Sequence, residues 1–158
     1  MIDTNNKFYL GFQALDAEQM TSCYHKNVRF KDPAFGELEG QSACNMWQML
    51  CDSQRNKDFQ LEFSNIHFDG TYGYAKWEAK YTFSKTGRKV HNKIQAQFQF
   101  KDGLIIEHKD DFNLHRWATQ AMGVKGWLLG GTRFFRKTLQ RQTNQMLTKY
   151  ELNIKKAT

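Results

Sequence analysis

A strand-like segment from Leu104 to Leu114 places two ionisable residues among apolar ones. Strand side chains alternate between the two faces of a sheet, so His108 and Asp110 point to the same side. The other residues that this alternation puts on their face are apolar: Leu104, Ile106, Phe112 and Leu114. An imidazole and a carboxylate on an apolar face must be paired, neutralised or used in chemistry. The pattern therefore predicts either a structural hydrogen-bonded pair or an acid–base centre.

A second carboxylate, Asp32, lies at the end of a short segment in which Val28 and Phe30 share its face. Pro33 ends strand pairing there because it has no N–H group. An Asp before Pro commonly accepts hydrogen bonds from the backbone of the following turn. We therefore expect Asp32 to be either a turn-forming residue or a second acid–base group.

The elements that must position these residues are helices first and strands later. Helical spacing or capping is found at residues 5–14, from Asp16 onward and at 41–51. Four alternating strand segments follow, joined by turn sequences at Asp69-Gly70, Thr86-Gly87 and Asp102-Gly103. This order predicts an α+β fold, with a curved mixed or antiparallel sheet and helices packed on its concave face.

A curved sheet closed by helices encloses a cavity, and a switch in apolar phase near Ser64–Asn65 predicts a bulge that would bend the sheet. The alternation places six residues with polar groups on the predicted inner face: Asp32, Trp77, Tyr81, Asn92, His108 and Asp110. We expect the three ionisable groups among them to meet in this cavity.

The charge of the chain divides it into two parts. Residues 1–123 contain 15 basic and 15 acidic residues, whereas residues 124–158 contain eight basic residues and one acidic residue, so the net charge of +7 lies in the tail. We therefore predict a domain at 1–123 and a basic helical extension at 124–158. The balanced charge of the body argues against nucleic-acid binding there.

The tail has a helical pattern from Thr132 to Leu152, with apolar residues on one side and basic residues over much of the rest. It predicts a helix that packs on its own sheet or on a dimer partner. The alternative is a basic amphipathic surface for an anionic partner or a membrane face. The sequence has no run of 18 apolar residues that would predict a membrane span, and MIDTNNKFYL lacks the basic region and apolar stretch of a secretory signal, so we expect a cytoplasmic protein. Three cysteines without a CxxC motif do not predict a disulfide framework or a zinc site.

Four segments taken together make residues 5–123 similar to a known family: FQALDAEQM, VRFKDPAFGELEG, TGRKVHNKIQAQFQFKDG and IIEHKDDFNLHRW. The chain resembles the SnoaL-like branch of the nuclear transport factor two-like superfamily, which includes ketosteroid isomerases and limonene epoxide hydrolases. The resemblance implies a cone-shaped, cystatin-like α+β barrel with a pocket for a small lipophilic molecule. It also implies a homodimer formed through the outer surface of the sheet.

The resemblance also implies roles for individual residues. Asp32, just before Pro33, is similar to the general base of ketosteroid isomerases, and Asp110 to the acid–base Asp that epoxide hydrolases and SnoaL-type cyclases carry on the last strand. The Tyr and protonated Asp that serve ketosteroid isomerases as oxyanion donors correspond here to Phe8 and Ala96.

The epoxide hydrolases also use an Arg-x-Asp pair on the second strand of the meander, and that place holds Trp77 and Ala79 here. Neither catalytic set is thus complete by resemblance.

Two functions follow as hypotheses. In the first, the chain is a cofactor-independent isomerase, cyclase or epoxide hydrolase without a metal. Asp110 is then the proton shuttle, His108 tunes or relays the proton, and Asp32 is a second acid–base group. The expected substrate-binding residues are Tyr81, Trp77, Asn92 and Tyr9. In the second, the same fold is a non-catalytic module that binds a ligand or a protein.

Overall fold

A six-stranded sheet forms the centre of the molecule in the computed structural model, which describes residues 3–158. Its strands are β1 (Tyr24–Asp32), β2 (Gly36–Glu39), β3 (Gln60–Phe68), β4 (Tyr72–Phe83), β5 (Arg88–Lys101) and β6 (Leu104–Asp111), arranged in the order β2-β1-β6-β5-β4-β3. β1 and β6 pair in parallel and the other neighbours are antiparallel. The sheet is thus mixed and curved, as the sequence predicts.

Six helices accompany the sheet: α1 (Thr4–Gln13), α2 (Ala17–Ser22), α3 (Gly40–Gln54), α4 (Leu114–Met122), α5 (Val124–Leu129) and α6 (Arg133–Ala157). The predicted cap at Asp16 is present, because its side chain accepts a hydrogen bond from the backbone N–H of Gln19. Gly123 ends α4 with a φ of 68°, a backbone conformation that favours glycine. α1 and α3 cover the inner face of the sheet with aromatic and sulfur-containing side chains such as Phe8, Phe12, Met46 and Trp47.

The first residues of β6 do not follow the predicted alternation, which placed Leu104 and Ile106 on the buried face. Ile105 is fully buried, whereas Leu104 and Ile106 are only partly buried. The cause is a bulge, because Gln99 pairs with Glu107 while Phe100 pairs with Ile105, which leaves Ile106 as the extra residue. Beyond the bulge the prediction is confirmed: His108 and Asp110 both point inward and are 1% and 3% exposed.

The same strand is also shorter than the predicted segment, which ran to Leu114. It ends at Asp111 because Asn113 caps α4, its side chain accepting a hydrogen bond from the backbone N–H of Arg116.

The tail packs on its own chain. α6 begins next to Thr132, where the predicted helix starts, and continues past the predicted end at Leu152 to Ala157; Thr132 is its N-cap, and Leu147 is buried in the main core. Tyr150 donates a hydrogen bond to Asp52 at the end of α3, and Asn45 in α3 donates one to Glu151. α6 therefore runs along α3 and is anchored there by polar contacts. None of the helices in residues 3–158 is long and apolar enough to cross a membrane.

Candidate active site

A cavity of about 310 Å³ lies between the inner face of the sheet and helices α3, α4 and α6. Its walls are mostly apolar, with side chains such as Phe12, Met46, Phe59, Ile94, Phe112 and Met146. A volume of this size, with a few polar groups in apolar walls, is typical of a small-molecule site.

The two candidate carboxyl groups are neighbours in this cavity. The parallel register pairs Lys31 with Lys109, so the next residues on the two strands are Asp32 and Asp110. Neighbouring strands lie about 4.8 Å apart, and both side chains line the cavity. The alternation of two separate strands thus brings the two groups together, as the sequence hypothesis requires.

Asp32 is held by the turn that follows it. Its Oδ1 accepts hydrogen bonds from the backbone N–H groups of Ala34 at 2.9 Å and Phe35 at 2.6 Å. Burial raises the pKa of Asp32 to about 7, helped by the negative charge of Asp110 and opposed by the two backbone hydrogen bonds. Asp32 thus forms the predicted turn, and its pKa of about 7 suits an acid–base group, a role that stays a prediction.

Asp110 is held by two N–H groups. Its Oδ1 lies 3.0 Å from Nε2 of His108 and accepts a hydrogen bond from Nε1 of Trp77 at 3.3 Å. Among residues 3–158, its Oδ2 makes no hydrogen bond. One carboxylate oxygen is thus fixed by the protein, and the other is free to meet a substrate.

Asp110 is the end of a buried hydrogen-bonded chain of four side chains, in which Trp47, Tyr24 and His108 lie behind it. Nε1 of Trp47 donates to the hydroxyl of Tyr24 at 2.7 Å, and that hydroxyl lies 2.7 Å from Nδ1 of His108. Tryptophan is only a donor, so the Tyr24 hydroxyl accepts from Trp47 and has its own proton left for Nδ1 of His108. A neutral His108 then carries its proton on Nε2, facing Asp110.

His108 itself does not line the cavity. Its ring is enclosed by Phe8, Phe30, Trp47 and Phe98. His108 is therefore placed to orient and polarise Asp110 rather than to touch a substrate. That position suits the tuning role in the hypothesis above.

Three of the four expected substrate-binding residues line the cavity: Trp77, Tyr81 and Asn92. The Tyr81 hydroxyl accepts a hydrogen bond from Nε1 of Trp117 at 2.8 Å, and burial raises its pKa. No other side chain within residues 3–158 takes the Tyr81 proton, and none bonds to the side chain of Asn92. Both groups can therefore donate a hydrogen bond to a molecule in the cavity.

Tyr9, the fourth expected substrate-binding residue, lies elsewhere. It is fully buried in the core, stacked on Phe63, and does not line the cavity. Its position on α1 turns the ring toward β3, and its buried hydroxyl has no partner in the described part of the chain. Burial and the charge of Asp110 raise the pKa of this hydroxyl, so it stays protonated.

Sequence reasoning missed two members of the hydrogen-bonded chain, Tyr24 and Trp47. Trp47 lies in the apolar stripe of α3 and reads only as a core residue. Tyr24 lies on the same alternation as Val28 and Phe30, but exposed Lys26 and a register shift between β1 and β6 interrupt the pattern. Nothing in the sequence indicated that Leu139 and Thr143 of α6 line the cavity.

No three His, Cys, Asp or Glu side chains in residues 3–158 lie close enough together to hold a metal ion. The chemistry that the arrangement itself offers is proton transfer. It combines a carboxylate with one free oxygen, a carboxyl group that titrates near neutrality and two hydrogen-bond donors, all in largely apolar surroundings.

Comparison with solved structures shows the same fold in several proteins. A putative polyketide cyclase from Xanthomonas campestris pv. campestris is 18% identical with a TM-score of 0.59, over 74% of this chain and 93% of its own. A putative isomerase from Bacillus subtilis is 18% identical with a TM-score of 0.59, over 76% and 90%. An epoxide hydrolase of M. tuberculosis, similar to limonene epoxide hydrolase, is 16% identical with a TM-score of 0.56, over 80% and 88%.

Comparison of sequences adds the family. No curated protein matches the chain. The model of the SnoaL-like domain matches residues 6–108, which span β1 to β5, most of β6, and helices α2, α3 and nearly all of α1. This segment is 103 of the 158 residues. The chain therefore belongs to the SnoaL-like domain family.

Proposed function

We propose that this protein is a cofactor-independent acid–base enzyme that moves a proton on a small, mostly apolar substrate held in the cavity. The reaction is an isomerisation, an aldol-type cyclisation or an epoxide hydrolysis. The observation that carries the proposal is the pair Asp32 and Asp110, adjacent in one cavity but held by different partners. Two carboxyl groups in different environments can divide the acid and base roles between them.

Asp110 is the base in this proposal. Its Oδ1 is fixed by Trp77 and His108, so its Oδ2 faces the substrate in a defined direction. In an isomerisation it takes a proton from a carbon atom next to a carbonyl group and returns it to another carbon atom of the product. In an epoxide hydrolysis it takes a proton from the attacking water molecule while Asp32 gives one to the epoxide oxygen, and the proton on Asp110 then returns to Asp32 through solvent. Such a positioned group accelerates proton transfer by roughly 10²- to 10⁴-fold.

Asp32 is the acid. With a pKa of about 7, a large share of Asp32 is protonated at neutral pH. Since Oδ1 accepts two backbone hydrogen bonds, the proton resides on Oδ2, where it can bond to a substrate oxygen. Tyr81 and Asn92 are the proposed further donors to that oxygen, in the role that an oxyanion hole has in related chemistry.

The structural neighbours support this choice of reactions, because they are named as a polyketide cyclase, an isomerase and an epoxide hydrolase. All three names describe chemistry on small organic molecules.

The test is turnover of a panel of enones, polyketide-like ketones and epoxides by the protein and two variants. Asp110→Asn should lower kcat/KM about 100-fold or more on any substrate that the panel identifies. Asp111→Asn is the matched control, because Asp111 is exposed on the opposite face of the same strand, and it should retain full activity. Unchanged turnover in Asp110→Asn refutes the assignment.

The second candidate is a ligand-binding module without catalysis. It is favoured by Phe8 and Ala96, buried residues that cannot donate a hydrogen bond where ketosteroid isomerases have their oxyanion donors. Lipophilic ligands that raise the melting temperature through the cavity, with no turnover on the whole panel, would favour this function over the enzyme.

A further inference from the structure

A group of exposed apolar side chains lies outside the cavity, on α5 and the start of α6. Val124, Trp127, Leu128 and Phe134 are 74%, 60%, 63% and 72% exposed, and Leu129 is 40% exposed. We call these five residues the α5 patch. Single exposed apolar residues are ordinary, but five within eleven positions, including a Trp and a Phe, mark a surface that binds something.

The structure holds the α5 patch in a fixed orientation. The opposite side of α5 is Gly126, which is buried so closely against the backbone carbonyl of Ala118 in α4 that a Cβ atom there would overlap it. His115 of α4 also bonds through Nε2 to the carbonyl oxygen of Trp127 at 2.7 Å. Gly126 and His115 thus hold one side of α5 against α4. The other side exposes Val124, Trp127 and Leu128 to solvent.

The segment of the chain that carries the α5 patch is positively charged. Residues 112–150 contain seven basic residues and no acidic one: Arg116, Lys125, Arg133, Arg136, Lys137, Arg141 and Lys149. Four of them, Lys125, Arg133, Arg136 and Lys137, lie within ten residues of Trp127 along the chain and are exposed. Arg88 joins them in space, because its Nε donates a hydrogen bond to the carbonyl oxygen of Gln120 at 2.8 Å.

We propose that the α5 patch docks the protein on the surface of an anionic lipid membrane. Trp127, Leu128 and Phe134 enter the boundary between headgroups and acyl chains, and the basic residues around them contact anionic headgroups. A second copy of this chain fits poorly, because a symmetric contact would place two uncompensated basic surfaces against each other. The arrangement differs from the basic amphipathic α6 that the sequence predicts as an alternative, since α5 supplies four of the five side chains of the α5 patch and α6 supplies only Phe134.

This docking is independent of the proposed function, since none of the five residues of the α5 patch lines the cavity. The variant Asp110→Asn should therefore bind membranes as the unchanged protein does. Loss of turnover with intact membrane binding, or the reverse, separates the failure of one proposal from the failure of the other.

The experiment is flotation of the full chain with vesicles of phosphatidylcholine and phosphatidylglycerol in equal parts, with pure phosphatidylcholine vesicles for comparison. We expect binding to the anionic vesicles that weakens as salt is added. Trp127→Ser with Leu128→Ser should weaken it at least about tenfold, because two large apolar side chains are lost. Leu152→Ser with Ile154→Ser is the matched control at the far end of α6, where both residues are exposed, and should bind normally.

Tryptophan fluorescence gives a second readout. The four Trp residues all lie in the described part of the chain, and Trp127 is 60% exposed while the other three are 9% exposed or less. A blue shift of the emission on adding anionic vesicles would therefore report insertion of Trp127.

No binding to anionic vesicles at low salt would overturn the proposal. So would binding that is unchanged in Trp127→Ser with Leu128→Ser, since charge alone would then account for it. Salt-sensitive retention on heparin without vesicle binding would point to a soluble polyanion as the partner and would equally overturn the membrane assignment.

Discussion

At the scale of single residues, the direction of the hydrogen bonds decides what Asp110 can do. Trp47 donates to Tyr24, Tyr24 donates to Nδ1 of His108, and the proton on Nε2 of His108 faces Asp110. Every N–H and O–H group in this buried chain has a partner. The arrangement fixes the carboxylate plane of Asp110 without using its free oxygen.

Tyr24→Phe tests this chain of contacts. Removing the hydroxyl leaves Nε1 of Trp47 and Nδ1 of His108 buried without a partner, which should lower the free energy of unfolding by about 1–3 kcal/mol. Urea unfolding measures the change. Tyr72→Phe is the control, because Tyr72 is 58% exposed and should unfold like the unchanged protein. Equal stability of the two variants would show that these buried hydrogen bonds contribute nothing to the free energy of unfolding.

The sequence predicted part of this site, for a physical reason. Alternation along each strand shows which residues share a face, and that is enough to predict that Asp32 and Asp110 face the cavity. His108, which was expected to meet them there, is buried behind Asp110 instead. It does not show which residues meet across the fold. The contacts that define His108 join residues 84 positions apart, so Tyr24 and Trp47 appeared only in the structure.

At the scale of elements, α6 forms part of the site as well as packing on the body. Gln140 and Asn144 donate hydrogen bonds from their side chains to the carbonyl oxygens of Pro33 at 3.2 Å and Phe35 at 2.8 Å. These contacts hold the turn whose N–H groups bind Asp32. The domain at 1–123 that the charge pattern predicts therefore shares its cavity wall with the extension.

Gln140→Ala with Asn144→Ala should loosen that turn. We expect faster hydrogen exchange of the backbone amides at residues 34–36, because the turn loses two of its contacts while the sheet is unchanged. Mass spectrometry of exchanged peptides measures it. Thr148→Ala is the control, since the Thr148 hydroxyl bonds only within α6. Exchange at 34–36 that is the same in all three proteins would contradict the role given to α6.

The contact between α4 and α5 gives a second prediction at this scale. Gly126→Ala places a Cβ atom inside the backbone carbonyl of Ala118, so the helices must separate, at a cost of about 2 kcal/mol or more. Thermal unfolding measures the loss. Gly131→Ala is the matched control, because its added Cβ would meet nothing closer than 3.7 Å. A melting temperature that is lowered no more by the first change than by the second would contradict this packing.

The bulges in β3 and β6 differ in whether the sequence predicts them. The bulge in β6 depends on the register with β5, so the residues of β6 alone do not predict it. The bulge in β3, in contrast, was predicted from the change of apolar phase, and Asn65 adopts a φ of 52° there. A bulge is thus visible in sequence where it shifts the apolar pattern of its own strand.

At the scale of the whole molecule, Asp32 couples stability to pH. Its pKa rises from the ordinary 3.8 to about 7 on folding, so the folded protein binds more protons than the unfolded chain in that range. The contribution of Asp32 to the free energy of unfolding should therefore be highest below pH 4, and fall as the pH rises to about 7.

A cytoplasmic location and a homodimer through the outer face of the sheet stay predictions.

Asp32→Asn removes this coupling, since an amide oxygen keeps the two backbone hydrogen bonds but carries no ionisable proton. The variant should be more stable than the unchanged protein at pH 8, by up to about 4 kcal/mol, and nearly equal to it near pH 4. Urea unfolding at several pH values measures the difference, with Asp111→Asn as control. Parallel pH profiles for the protein and Asp32→Asn would show that Asp32 has an ordinary pKa.

The measurement that tests the central claim most directly is a carboxyl titration by ¹³C NMR of the protein labelled at its Asp side chains. The account predicts one Asp that titrates near pH 7, whose signal disappears in Asp32→Asn. In Asp110→Asn its pKa should fall but stay above 3.8, because the neighbouring charge is removed while the burial remains. If every Asp carboxyl titrates below about pH 5, as unperturbed ones do, the cavity does not hold the acid–base pair proposed for it.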